Sequence, residues 1–347
     1  MYQDRVELYD SLEKEYDSKL LVYITSDREN MGAQIASDVK DPHVNQLDRI
    51  GPCKRISLYL YTRGGDMAAA WSIINLLKMF CDELQVIVPH KAHSAGTIIG
   101  LGANEIIMTK QATLSPIDPS INTPLNPPVP NNLGTASVSV EAVKGYLEFV
   151  KEELGVCDEK ALSDVYLKLT DYVHPLVLGQ VYRTRAQIQM LSKKLLVNQV
   201  TDEEIIKRIT DFLCSDSGSH DYTINRREAE NELGLNIKKP TERQYQIIKE
   251  IYDDISEELQ LTQRFNPIEI NGEYAARRSI LESIEGGSDY FVTEGRCAHI
   301  KTPDGNVSIE NRIAFEGWRH FDPIVDREPE DCIEEEVHYE RSPEFQV

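Results

Sequence analysis

Residues 56–66, ISLYLYTRGGD, and 84–97, LQVIVPHKAHSAGT, decide how this chain folds. In the first, Ile56, Leu58 and Leu60 alternate with Ser57, Tyr59 and Tyr61, the period of two that predicts a strand. The glycine pair of RGGD (63–66) ends it, and Asp66 is an N-cap for a helix over 67–80. There Met67, Ala70, Ile74 and Leu77 form one stripe, with Ile73, Leu76 and Phe80 beside it, so the helix is mostly buried. In the second stretch, LQVIVP (84–89) reads as a strand and KAHSAG leads into a small-residue helix, TIIGLGA (97–103). EIIMT (105–109) and LLVYIT (20–25) are further short apolar runs with the length of buried strands. Strand–helix–strand units with short links imply a parallel sheet with right-handed crossovers, an α/β fold.

Outward from this core the pattern changes. Residues 1–18 predict a polar helix, and 27–52 a loop with a short helix. Residues 119–139, rich in Pro, Asn and Ser, read as an irregular or mobile loop. Four helices are expected near 140–155, 158–171, 176–197 and 201–214, with Pro175 in the first turn of the third and Thr201 with Glu204 as a capping box for the fourth. SGSHDYTI (217–224) interrupts the run and NRREAENELG (225–234) restarts a helix. A helix follows Pro240 to about residue 260. Residues 290–310 read as β structure turning at TPDGN (302–306). Residues 322–347 hold ten Asp or Glu against two Arg and predict a disordered acidic tail. This gives an N-terminal helix (1–19), a main domain (20–240) with a helical insertion (140–214), a C-terminal helix plus β region (241–321) and the tail (322–347).

Composition narrows the function classes. With 347 residues, 41% hydrophobic and 27% charged, the chain is long enough for a sizeable core. A net charge of −21 argues against a general nucleic-acid binder, which needs a cationic footprint. No run approaches the roughly 20 apolar residues of a membrane helix, and the charged first residues do not read as a secretory signal. Six cysteines lie scattered without a C-x-x-C pair, and His43, His299, His320 and His338 show no metal spacing. The expectation is a cytoplasmic protein with reduced thiols, no metal and no cofactor.

Two junctions carry the chemistry. Gly64 and Gly65 follow one strand and Ser94 opens a helix after another, both at the carboxyl edge where a parallel sheet presents its functional loops. Glycine reaches backbone conformations closed to other residues, so its N–H groups can face a cleft. A serine hydroxyl at the start of a helix, facing such a loop, suits acyl transfer, with the N–H groups of Gly65 and Ala95 holding the oxyanion. Each element alone also fits simpler roles: Gly-Gly as turn chemistry, Ser94 as an N-cap.

YTRGGDMAAAWSIINLLK (61–78) and VPHKAHSAGTIIGLGANEIIMTKQATLSPIDPS (88–120) resemble the Clp-protease/crotonase superfamily, and more narrowly its serine dehydrogenase proteinase branch, related to signal peptide peptidase A. HPLVLGQVYRTRAQIQ (174–189) and SHDYTINRREAENELGL (219–235) continue the likeness. The resemblance implies a repeated β-β-α superhelix over residues 20–240, with a helical insertion and a small β-containing C-terminal region. It also implies a serine peptidase with Ser94 as nucleophile and Asp221 as the acidic triad member; His220, next to Asp221 in a polar loop opening a helix, ranks first as base. Gly64, His93, Asp118 and His174 are supporting candidates, and Lys91 or Lys110 alternatives for the base. One departure stands out: no histidine lies between Ser94 and His174, where Clp proteases place theirs. The resemblance further implies a protein or peptide substrate and self-assembly into a trimer, hexamer or larger ring, and the insertion and tail could serve a regulatory protein partner. Two rivals stay open: crotonase-like acyl-thioester chemistry, which needs the backbone donors but not Ser94, and a degenerate scaffold that binds without catalysis.

Overall fold

A computed structural model describes residues 1–117, 120–129, 134–216, 222–301 and 307–321. Asp118, His220, Asp221, the turn expected at 302–306 and the tail from 322 lie outside the described residues.

An eight-stranded sheet organises the chain. Its strands are β1 (Lys19–Thr25), β2 (Cys53–Tyr61), β3 (Cys81–Val88), β4 (Glu105–Met108), β5 (Ile237–Lys238), β6 (Gly272–Ser283), β7 (Gly287–Lys301) and β8 (Val307–Phe321), in the order β5-β4-β3-β2-β1-β6-β7-β8. Neighbours from β5 to β1 run parallel, whereas β6 joins β1 antiparallel and β7 and β8 continue antiparallel.

Strand alternation sorts the core into two layers. Leu21, Tyr23, Leu58, Leu60, Val86 and Val88 point to one face, under α2 (Lys40–Ile50), α3 (Met67–Phe80) and α4 (Ala95–Gly102). The far ends of α7 (Pro175–Leu196) and α8 (Glu203–Asp211) close that layer through Leu195 and Ile209. Leu20, Val22, Ile24, Tyr59 and Ile87 point to the other face, under α1 (Tyr2–Tyr16) and α9 (Glu242–Glu258), which pack on each other. Burial on both faces is why the parallel strands read as near-continuous apolar runs.

Helix boundaries follow local chemistry. The Asp66 side chain accepts the Ala69 N–H at 2.7 Å and starts α3, as its position predicts. His174 caps α7, its Nδ1 accepting the Leu176 N–H, with Pro175 in the first turn. For α8 the cap is Asp202, whose carboxylate takes the N–H groups of Glu204 and Ile205, rather than the expected Thr201. Asp202 places a side-chain acceptor one residue nearer, and that displaces the capping box. In the arm formed by α5 (Val140–Glu148), α6 (Glu159–Thr170) and the first turns of α7, α6 is the thinly packed member: it buries none of its residues. Within residues 119–139, Ser120–Ile121 pairs antiparallel with Val138–Ser139, so this segment is tied at its base.

Candidate active site

The Gly-Gly loop is held by hydrogen bonds at the edge of the sheet. β1 ends at Thr25 and β2 is followed by Thr62; the Thr25 hydroxyl donates to Thr62 Oγ1 at 2.7 Å, and Thr62 Oγ1 accepts the Gly64 N–H at 3.0 Å. On the other side Ile35 runs parallel to Gly65, its N–H donating to Gly64 O (2.9 Å) and its carbonyl accepting the Asp66 N–H (2.7 Å). Gly64 and Gly65 adopt φ of 108° and 146°, open to glycine and strained for other residues. Space imposes the same identity. A Cβ on Gly65 would stand 2.2 Å from Ile35 O, and one on Gly64 only 2.8 Å from Ser94 Cβ and 3.2 Å from the Ala95 nitrogen. The glycine pair is therefore more than a generic turn: it lets backbone lie flat against the serine.

Ser94 occupies the bend between Lys91–Ala92, which forms a short parallel ladder with Thr113–Leu114, and α4. Its φ of 51° with ψ of −111° is strained for a residue with a Cβ; such a conformation costs on the order of 1–3 kcal/mol and persists only where the surroundings over-determine it. Those surroundings are visible. The Ser94 N–H donates to Ser115 Oγ (2.8 Å), which donates to Pro116 O (3.0 Å), while the Thr97 hydroxyl lies 2.8 Å from Ser115 O and 3.0 Å from Ala92 O. The N-cap role offered by the sequence is not taken: the Ser94 side chain makes no cap bond. Among the described residues no side chain hydrogen-bonds to its hydroxyl. All eight residues of α4 are buried, so its first N–H groups, Ala95 included, lie in a water-poor setting where the helix dipole is weakly screened.

The candidate bases separate clearly. His93 directs Nε2 to Thr113 Oγ1, 2.9 Å away. His174 sits exposed at the start of α7 as its cap. Lys91 is ion-paired with Asp27 at 2.7 Å and lies over the Tyr61 ring, and Lys110 lies over Tyr245 of α9. His220, Asp221 and Asp118 are outside the described residues. Among the described residues no His, Cys, Asp and Glu converge in a group that could hold a metal. Sequence reasoning passed over Thr25, Thr62, Ile35 and Ser115. The signals were present: one of two neighbouring parallel strands ends in a threonine and the other is followed by one, and Ser115 opens the SPIDP segment.

Residues 43–134 match the family model described as ClpP-like SDH-type serine proteinase, so the resemblance read from the sequence holds over this stretch. The match spans the glycine loop, Ser94 and Ser115, and ends well before His220. Two uncharacterized proteins of Methanocaldococcus jannaschii are similar to the chain: one is 32% identical over 199 residues (57% of this chain, 59% of that protein), the other 29% identical over 197 (57% and 56%). The chain thus spans less than two thirds of the length of the curated relatives it matches. Among solved structures, a membrane-bound stomatin-specific protease is similar over 64% of this chain and 81% of its own, at 15% identity and a TM-score of 0.36.

Proposed function

We propose that the chain is a serine peptidase acting through an acyl-enzyme on Ser94. The hydroxyl attacks the scissile carbonyl, His220 takes its proton with Asp221 orienting the imidazole, and the N–H groups of Gly65 and Ala95 hold the oxyanion. His220 then returns the proton to the leaving amine, and water releases the acyl group. The observation that carries this reading is Ser94 itself: a strained serine, uncapped and, among the described residues, without a hydrogen bond to its hydroxyl, with Gly64 backbone set against it. Strain of this kind, at the head of a buried helix, supports reading the bend as the sharp strand-to-helix turn that carries a nucleophile.

The substrate in this reading is a protein or peptide, cleaved by a homo-oligomer. Tyr172, Leu176 and Tyr182 on the arm are 71%, 68% and 75% exposed, which supports self-association through that surface. No helix among the described residues is long and apolar enough to cross a membrane. Five described cysteines are free, which supports the cytoplasmic placement.

A fluorophosphonate probe together with peptide hydrolysis tests the proposal. The wild type is expected to be labelled, and Ser94→Ala to lose labelling and at least about a thousandfold of its hydrolysis rate while keeping its circular dichroism. Acyl-thioester chemistry surviving Ser94→Ala, or a wild type that the probe ignores, overturns it.

A further inference from the structure

Strand β6 carries a bulge. Arg277 pairs with Val292 and Ser279 with Phe291, leaving Arg278 without an opposite residue on β7. Bulges re-aim the side chain they release. Here the guanidinium reaches out of the sheet to the segment between β1 and α2. Arg278 Nε donates to Gly32 O at 3.0 Å and Nη2 donates to the same carbonyl, while Nη1 donates to Thr293 Oγ1 (3.1 Å) and Glu316 Oε2 (2.8 Å). The backbone joins in: the Ser26 N–H donates to Arg278 O (2.8 Å) and the Ala33 N–H to Ser26 O (2.7 Å).

Gly32 lies three residues before Ile35, the residue that grips both Gly64 and Asp66. Gly32, Ala33, Gln34 and Ala36 border a cleft of about 600 Å³ that Arg278 and Arg63 also line, while the Ile35 side chain is buried in the core. We propose that Arg278 is a positioning residue for the oxyanion donor at Gly65, acting through Gly32 and Ile35. The three C-terminal strands thereby set the geometry of a site built on the parallel strands. A lysine offers point-charge donors, not the planar fork that spans Gly32, Thr293 and Glu316 together. The inference rests on the peptidase reading above.

The experiment pairs two readouts on the full chain, for Arg278→Ala and Arg278→Lys. Backbone hydrogen exchange at Ile35 and Asp66 is expected to accelerate in Arg278→Ala, with the amides of β2 and β3 unchanged. Peptide kcat is expected to fall about 10- to 100-fold at constant KM, with Arg278→Lys intermediate in both readouts. Unchanged exchange overturns the clamp. Accelerated exchange with unchanged kcat overturns its role in positioning. Should Arg278→Ala fail to fold, Arg278→Lys decides on the same two criteria. A wild type that neither hydrolyses peptides nor reacts with the probe, while exchange responds as expected, refutes the peptidase reading and leaves the clamp intact.

Discussion

The two halves of the sheet solve different problems with different chemistry. From β5 to β1 the strands are parallel, buried on both faces and dominated by aliphatic residues, and their carboxyl edge carries the glycine loop and Ser94. From β6 to β8 the strands are antiparallel and far more polar. None of the described residues of β8 is buried, and Arg278–Glu316 and Arg319–Glu294 pair across the strands. β6 is the seam between them. Its Glu282 is fully buried and bonds Arg5 of α1, which also binds Asp254 and Glu258 of α9. The difference teaches a division of labour: dispersion and hydrophobic burial hold the glycine loop and Ser94 in one half, and directed ionic hydrogen bonds organise the other.

The sharpest way to break that comparison is at the seam. Arg5→Met strands the Glu282 carboxylate in the interior, and removing one partner of a buried ion pair costs about 3–5 kcal/mol. Denaturant unfolding should show that loss, while the probe reacts with Ser94 in the folded fraction at the wild-type rate. Substitution in the parallel half should act the other way round. Gly64→Ala puts a Cβ 2.8 Å from Ser94 Cβ at a φ of 108°, and a misplaced nucleophile is expected to lower kcat about 100-fold, roughly twice the logarithmic loss of a tenfold change. The thermal midpoint should move by only a few degrees.

Titration sharpens the contrast further. His43 of α2 is fully buried edge-on to Tyr23, its Nδ1 donating to Val39 O and its Nε2 without a partner among the described residues. Burial pushes its imidazole from 6.5 down to about 4. The unfolded chain therefore takes up this proton first as pH falls, so stability is full above the unfolded value and is lost between 6.5 and 4. Between pH 7 and pH 5 the wild type should lose on the order of 2 kcal/mol that His43→Leu does not, as read from denaturant midpoints at the two pH values.

Legibility in the sequence tracks the same divide. The parallel strands and α3 were readable because one periodicity or apolar run sufficed. β6 was missed because GEYAARRSILES changes alternation phase at its bulge and buries a glutamate. α1 read only as polar because its buried positions, Tyr2, Arg5, Tyr9, Leu12 and Tyr16, follow helical spacing with residues that carry polar groups. At the site, Gly64 and Gly65 were legible since backbone conformation dictates their identity, and Ser94 since it opens a small-residue helix after a strand. Ser115, Thr62 and Ile35 were not, because Ser115 and Thr62 act through hydroxyl hydrogen bonds to groups distant in sequence and Ile35 through a backbone that any side chain could accompany.

The connection between β1 and α2 runs over the surface, where chains ordinarily tolerate added or missing residues. This one is gauged at both ends: Ser26 is fastened to Arg278, Gly32 to the same arginine and Ile35 to the glycine pair. Insertions or deletions between positions 26 and 35 would slide Ile35 along Gly65 and pull the loop off the serine. Natural length variation in related chains should accordingly gather elsewhere, and grafting a longer linker here should abolish the proposed hydrolysis while sparing the fold.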